Sequence, residues 1–190
     1  MMDKYLYEIR FLQAVLPQLE NYLLSSELYR LVFIPTQRDE PSYPSLSLGT
    51  LLLSLKKAHG YAYYHPARMD LAKIEEEIYS IRQHWRQAWE NKTVREMQNR
   101  GNLWQTYLSE LLANPHENSD RYTYEVRHRV MLELLQQEIS QVATKNTVNL
   151  DLYDQILRPS FHLDHFIWDG ELEVEFPNPP FWFLWGKPLL

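Results

Sequence analysis

Apolar residues three and four positions apart recur through this chain, and that spacing is the feature that most constrains its fold. The pattern is strongest in residues 67–91, where charged residues occupy the positions between the apolar ones. One face of a helix would then be apolar and the other polar, so we predict a long amphipathic helix over this range. The apolar positions are Leu71, Ile74, Ile78, Ile81, Trp85 and Ala88.

The same spacing opens the chain and predicts helices over residues 3–16 and 18–24. They are divided at Pro17, because proline lacks the amide donor that a helix interior requires. Together with the later helices, these segments predict a mainly α fold, a helical bundle of five to seven helices that forms one domain over residues 1–145.

Two glycines are interpreted as helix breaks, because glycine is common just beyond a helix C-terminus. Gly60 is predicted to end a buried, leucine-rich helix, and Gly101 is predicted to interrupt the chain before another helix begins. The remaining helices are predicted over residues 48–59, 103–113 and 122–143.

The last thirty residues differ in composition from the rest, since they contain five of the seven Phe and three of the six Trp. Residues 171–176 alternate between glutamate and apolar residues, as expected of a half-exposed strand. The preceding Asp169-Gly170 favours a hairpin turn, because both central positions of such a turn need positive φ. We therefore predict an acidic, aromatic appendage over residues 146–190, a small C-terminal antiparallel β-hairpin or three-stranded sheet.

Composition excludes several classes of site. The chain has no cysteine, which rules out disulfides, thiolate metal sites and a cysteine nucleophile. Its five glycines are isolated, so no glycine-rich phosphate loop is present. We expect no cofactor, and we favour a non-catalytic protein over an enzyme. Because the chain shows neither a secretory signal nor an uninterrupted apolar stretch, we also expect a soluble, cytoplasmic protein without a membrane partner.

The aromatic appendage is the predicted functional surface. Large rings often contribute most of the energy of a protein interface, and the glutamates beside them would face a basic rim on the partner. We therefore predict a non-catalytic subunit or adaptor of a larger intracellular complex, with another protein subunit or a homo-oligomer as its partner. The residues predicted to bind that partner are Trp168, Glu171, Glu173, Glu175, Phe181, Trp182, Phe183 and Trp185.

An alternative interpretation is a nucleic-acid-associated accessory protein. Basic and aromatic residues are interleaved between positions 82 and 104, where a cation could meet phosphate while a ring stacks on a base. The net charge of −6 disfavours general binding to a phosphate backbone. The residues of this face are Arg82, Arg86, Trp89, Lys92, Arg95 and Arg100.

A third interpretation is a metal-dependent hydrolase, because imidazole and carboxylate groups are good ligands for zinc or iron. The candidate ligands are His162, Asp164 and His165. On a strand the first two would share a face and the third would point away, so another ligand would have to come from elsewhere.

Overall fold

A computed structural model describes residues 3–36, 40–63, 65, 69–139 and 148–189. The chain divides into two compact units, Met1–Glu96 and Met97–Leu190, which we call the N-terminal and C-terminal units. The predicted domain boundary near residue 145 lies outside the described residues.

The N-terminal unit begins with helix α1, Lys4–Val15, and helix α2, Leu19–Leu24. A short 3-10 turn that contains Pro17 separates the two helices, which confirms the predicted division. The Asp3 side chain accepts a hydrogen bond from the Leu6 amide at 3.0 Å and so satisfies a free donor of the first turn.

Helix α3, Leu48–Ala62, packs against α1 and forms the centre of this unit. Ser47 begins it with a reciprocal capping box, in which the side chains of Ser47 and Thr50 each bond the other's main-chain amide. The helix continues to Ala62, three residues beyond the predicted end at residue 59, so the predicted stop at Gly60 was wrong. Gly60 is buried within the last turn instead.

The single long helix predicted over residues 67–91 is divided at Trp85. Helix α4, Met69–His84, ends before this residue, and helix α5, Arg86–Ala113, begins after it and extends well beyond residue 91. The predicted break at Gly101 was wrong, because α5 passes through that residue without interruption. Within the C-terminal unit a Cβ at Gly101 would lie 2.8 Å from Val148 Cγ2. Close packing of a neighbouring side chain, rather than a turn, accounts for glycine at this position.

The C-terminal unit continues with short helices. The predicted helix over residues 122–143 is divided at Val126, although the Val126 amide still donates to the Tyr122 carbonyl at 2.9 Å. The end of that prediction, residues 140–143, lies outside the described residues. The helices are α6 (Pro115–Asn118), α7 (Tyr122–Glu125), α8 (Arg127–Gln136) and α9 (Leu150–Leu157).

A two-stranded antiparallel sheet pairs β1, Phe161–Leu163, with β2, Gly186–Pro188. The predicted fold class, a mainly α bundle with a small C-terminal antiparallel sheet, is therefore confirmed. Gly186 has a φ of 143°, and a Cβ there would lie only 1.9 Å from the His162 carbonyl oxygen. Glycine is required at this point of the sheet by both conformation and space.

The strands do not lie where the sequence predicted them. Asp169 accepts a hydrogen bond from the Glu171 amide at 3.2 Å and begins a 3-10 turn, Gly170–Leu172, in place of the hairpin. The expected strand over 171–176 is absent from these described residues, and Val174, which should have been buried, is 69% exposed. Local capping by the aspartate competes with the hairpin turn that the sequence suggested.

Among the described residues, no helix combines the length and the apolar character needed to cross a membrane.

Candidate protein-interaction surface

The aromatic run near the C-terminus belongs to the core of its unit. Phe183 is fully buried and Trp182 is only 8% exposed. The two rings meet edge to face at 5.8 Å, and Tyr122 donates a hydrogen bond to the Phe183 carbonyl at 2.7 Å. Phe181 is buried with them, so the prediction that these three rings form an exposed docking surface is corrected.

A buried ion pair lies under these rings. Arg129 binds both carboxylate oxygens of Asp154, at 2.9 and 3.0 Å, and Glu133 at 2.9 Å. Its guanidinium lies 4.5 Å from the centre of the Phe183 ring. Such a bidentate, largely enclosed pair holds α8 and α9 together and fixes the surface on which the aromatic run packs.

The two remaining predicted tryptophans are half-buried, and each indole N–H is satisfied within the unit. Trp168 donates to the Thr123 carbonyl and Trp185 donates to the Phe176 carbonyl, both at 2.9 Å. Of the predicted acidic rim, Glu171 and Glu173 are exposed, while Glu175 is partly covered. The acidic residues therefore face solvent beside a closed aromatic core.

Half of the residues of the predicted nucleic-acid face are buried inside the protein. Trp89, Lys92 and Arg100 are all buried, so none of them is placed to meet a phosphate or a base. Arg100, which belongs to the C-terminal unit, lies 3.4 Å from His128 Nδ1. Arg82 is half-buried, and its guanidinium lies 6.0 Å from the Trp89 ring centre. These positions correct the prediction of one continuous basic and aromatic groove.

The exposed arginines of that set also bond to neighbouring groups of the chain. Arg86 pairs with Glu90 one helical turn away at 3.3 Å, and Arg95 donates to the Ser26 carbonyl at 2.9 Å. The Arg86–Glu90 contact is an exposed ion pair, and pairs of this kind contribute little to stability.

Lys92 has a structural role that the sequence did not suggest. Its ammonium donates to the main-chain carbonyls of Ser25 at 2.8 Å and Glu27 at 2.6 Å, and it lies 4.4 Å from the Tyr22 ring centre. Burial lowers the pKa of Lys92 to about 8, and the neighbouring positive charge of Arg95 acts in the same direction. The lysine thus fixes the chain just after α2.

The proposed metal ligands do not converge. His162, Asp164 and His165 are all exposed, and the only short contact among them joins His165 Nδ1 to Asp164 Oδ2 at 2.7 Å. His162 lies on β1 opposite Lys187, whose positive charge would oppose a metal ion. In the described part of the chain, no group of three or more histidine, cysteine, aspartate or glutamate side chains is arranged to hold one.

A groove of about 480 Å³ lies between α1 and α4 in the N-terminal unit. Its floor is mainly apolar, and its rim carries one amide, one lysine and two carboxylates. This mixed charge favours neither an anion nor a cation. The rim residues are Gln13, Asp70, Lys73 and Glu77.

Among the described residues, the two most exposed large apolar side chains, Leu31 and Phe33, belong to one segment of the N-terminal unit, residues 30–34, which we call the edge segment. Arg30 forms a two-way antiparallel bridge with Leu46, with N–O distances of 2.9 and 2.7 Å. Beyond it exposure alternates as on a strand, with Leu31 74% exposed and Phe33 94% exposed, while Val32 and Ile34 are half-buried. Two large apolar side chains therefore point into solvent from one face.

The main chain of the edge segment is open as well. Successive residues of a strand direct their N–H and C=O groups to opposite edges. In a strand that continued from the bridge between Arg30 and Leu46, the main-chain groups of Leu31 and Phe33 would face the other edge. Described residues 31–36 form no further main-chain hydrogen bond with other described residues. The segment thus presents unpaired main-chain groups and apolar side chains together.

The start of the edge segment is held firmly. Tyr22 donates to the Leu28 carbonyl at 2.9 Å, Lys92 binds the two carbonyls before it, and Arg30 pairs with Glu27 at 2.6 Å. These contacts fix the chain on the core side, so the open edge projects from an ordered base.

Comparison of the chain with models of known protein families, with curated proteins and with solved structures found no match. Function is therefore inferred from the geometry of the described residues.

Proposed function

We propose that this chain is a non-catalytic subunit of a larger protein assembly and that it binds other chains through the edge segment, residues 30–34. The observation that supports the proposal is the joint exposure of Leu31 and Phe33 beside an unpaired strand edge. Exposed strand edges normally carry charges or are covered, because an open apolar edge recruits other strands.

The energetic argument rests on these two side chains. Complete burial of a leucine or phenylalanine side chain is worth about 1.5–3 kcal/mol, and both are left mostly in water here. Apolar side chains of a strand added at the edge would pack against them as cross-strand neighbours, and the same strand would pair the main-chain groups of these residues. One binding event thus provides contacts both for the exposed apolar side chains and for the unpaired main-chain groups of the segment.

The proposal is tested with Phe33→Lys in the full-length chain, carrying an affinity tag in its native cell. Because Phe33 is 94% exposed, the substitution should leave the fold intact while it places a charge on the open edge. We expect a stoichiometric binding partner to be retained by the original chain and lost by the variant. Thermal unfolding of both proteins confirms that the fold is unchanged.

Val174→Lys is the matched control. Val174 is also an exposed apolar residue, 69% accessible, but it lies in a turn of the C-terminal unit. The control should keep the partner that Phe33→Lys loses. Equal retention of every partner by both variants would contradict a binding role for the edge segment.

A further inference from the structure

The open edge of residues 30–34 is complementary to itself. A second copy of the same chain therefore fits as its partner. A closed two-fold dimer requires the same segment of two copies to run antiparallel. With the two-fold axis at Val32, Leu31 lies opposite Phe33 of the second copy, and Phe33 lies opposite its Leu31. If the strand geometry of Arg30 continues through these residues, both direct their main-chain groups to the open edge, and these pairs are the hydrogen-bonded ones.

We propose that a second copy of this chain occupies the edge segment, in the register that places Val32 opposite Val32. This inference rests on the proposed function and names the occupant of the same surface. Four main-chain hydrogen bonds form, two at each Leu31–Phe33 pair. On the exposed face, each phenylalanine ring packs against a leucine of the other copy, which is a favourable cross-strand pair.

The charges of the segment agree with this register. Its charged residue is Arg30, which lies opposite Ile34 of the second copy, so no like charges face each other. The next hydrogen-bonding position is Pro35, which has no amide to donate, so the ladder ends there. The paired region is therefore short and has a defined end.

The buried area indicates a reversible dimer. Two side chains from each copy cover at most about 600–800 Å² in total, since a fully buried aromatic side chain contributes about 150–250 Å² and cross-strand pairing covers only part of each ring. Stable complexes bury about 1,200–2,000 Å², so association should depend on concentration within the micromolar range or above.

Sedimentation velocity of the purified full-length protein measures this association. We expect the sedimentation coefficient to rise from that of a monomer to that of a dimer between roughly 5 and 500 µM. Phe33→Lys should raise the dissociation constant at least about tenfold, because it places a charge between two apolar strands. Val174→Lys should leave it unchanged. A monomer at every concentration, or a dimer that Phe33→Lys does not weaken, overturns the proposal.

The register is tested by disulfide cross-linking. No other thiol competes in this experiment, because the chain contains no cysteine. In Val32→Cys the two sulfurs come from directly opposed residues, about 4.5 Å apart at Cα, which is within disulfide range. In Leu31→Cys they come from diagonal positions about 7–8 Å apart, which is outside that range. With oxidised glutathione as oxidant, Val32→Cys should give a covalent dimer much faster than Leu31→Cys. The reverse order overturns the register.

The two proposals fail in different ways. If the purified protein stays monomeric and Val32→Cys does not cross-link, self-pairing is overturned. Loss of a different stoichiometric partner by Phe33→Lys in the cell would then still support binding through the edge. Retention of all partners by Phe33→Lys would contradict the proposed function itself.

Discussion

Two phenylalanines of this chain have opposite environments, and alanine at each position compares them directly. Phe183 is fully buried, meets Trp182 edge to face at 5.8 Å and Phe181 at 6.1 Å, and covers the Arg129 guanidinium at 4.5 Å. Phe33 is 94% exposed. The same deletion of a ring therefore creates a cavity in one case and removes only solvated surface in the other.

The expected cost of Phe183→Ala is about 4 kcal/mol, because transfer of a buried ring and the cavity left behind together cost about 3–5 kcal/mol. That is a large fraction of the roughly 5–15 kcal/mol that stabilises a typical domain. Phe33→Ala should change stability by less than about 0.5 kcal/mol, as exposed substitutions usually do.

Urea unfolding, followed by tryptophan fluorescence and far-UV circular dichroism, measures both values. If Phe183→Ala does not fold, Phe183→Leu retains most of the volume and should cost about 1.5 kcal/mol. A loss below about 1 kcal/mol for Phe183→Ala, or a loss equal to that of Phe33→Ala, would refute the assignment of the aromatic run to the core.

Three further predictions concern single residues. Gly186→Ala should cost about 3 kcal/mol in urea unfolding, because its φ of 143° and the nearby carbonyl leave no room for a Cβ, whereas Gly170→Ala, with open space around it, should be nearly neutral. Burial, followed by the positive charges of Arg100 and Arg127, lowers the pKa of His128 to about 4. Between that value and the ordinary 6.5, the unfolded chain binds a proton that the folded chain does not, so stability should fall by up to about 3 kcal/mol as pH drops through this window, and His128→Asn should remove that dependence in unfolding at pH 4.5 and 7. Lys92→Met should cost about 2 kcal/mol and speed amide exchange of Arg30, because two main-chain carbonyls lose their donor.

The helical part of the fold was predictable because periodicity reports which face of a helix is buried. The buried positions Leu71, Ile74 and Ile78 of α4 and the division at Pro17 both follow from one-dimensional spacing, whereas the division at Trp85 does not. Glycine was the less reliable signal, since Gly101 lies inside α5 for a packing reason that only the folded neighbour Val148 reveals.

The sheet was predicted at the right end of the chain but with the wrong strands. A hairpin turn at Asp169 competes with capping of a 3-10 turn by the same side chain, and both use the same local sequence. The true pairing joins Phe161 to Pro188, a long-range contact that no local pattern encodes. The acidic alternation of residues 171–176 was therefore misleading.

The site was harder to predict than the fold. Aromatic content drew the prediction to Trp182 and Phe183, but rings are equally suited to a core and to an interface. The edge segment was overlooked because apolar residues occupy both of its faces, so the sequence carries no alternation that marks Leu31 and Phe33 as exposed. Only the bridge at Arg30 shows which way the open edge points.

Residue-resolved amide hydrogen exchange tests the central claim most directly, namely that residues 30–34 form an open edge while the aromatic run is core. In dilute protein, the amides of Leu31 and Phe33 should exchange as freely as those of an unstructured chain. The amides of Ile167 and Leu184, which donate to carbonyls within the C-terminal unit at 2.9 Å, should be strongly protected. Protection of Leu31 and Phe33 in the dilute monomer, with free exchange at Leu184, would contradict the account.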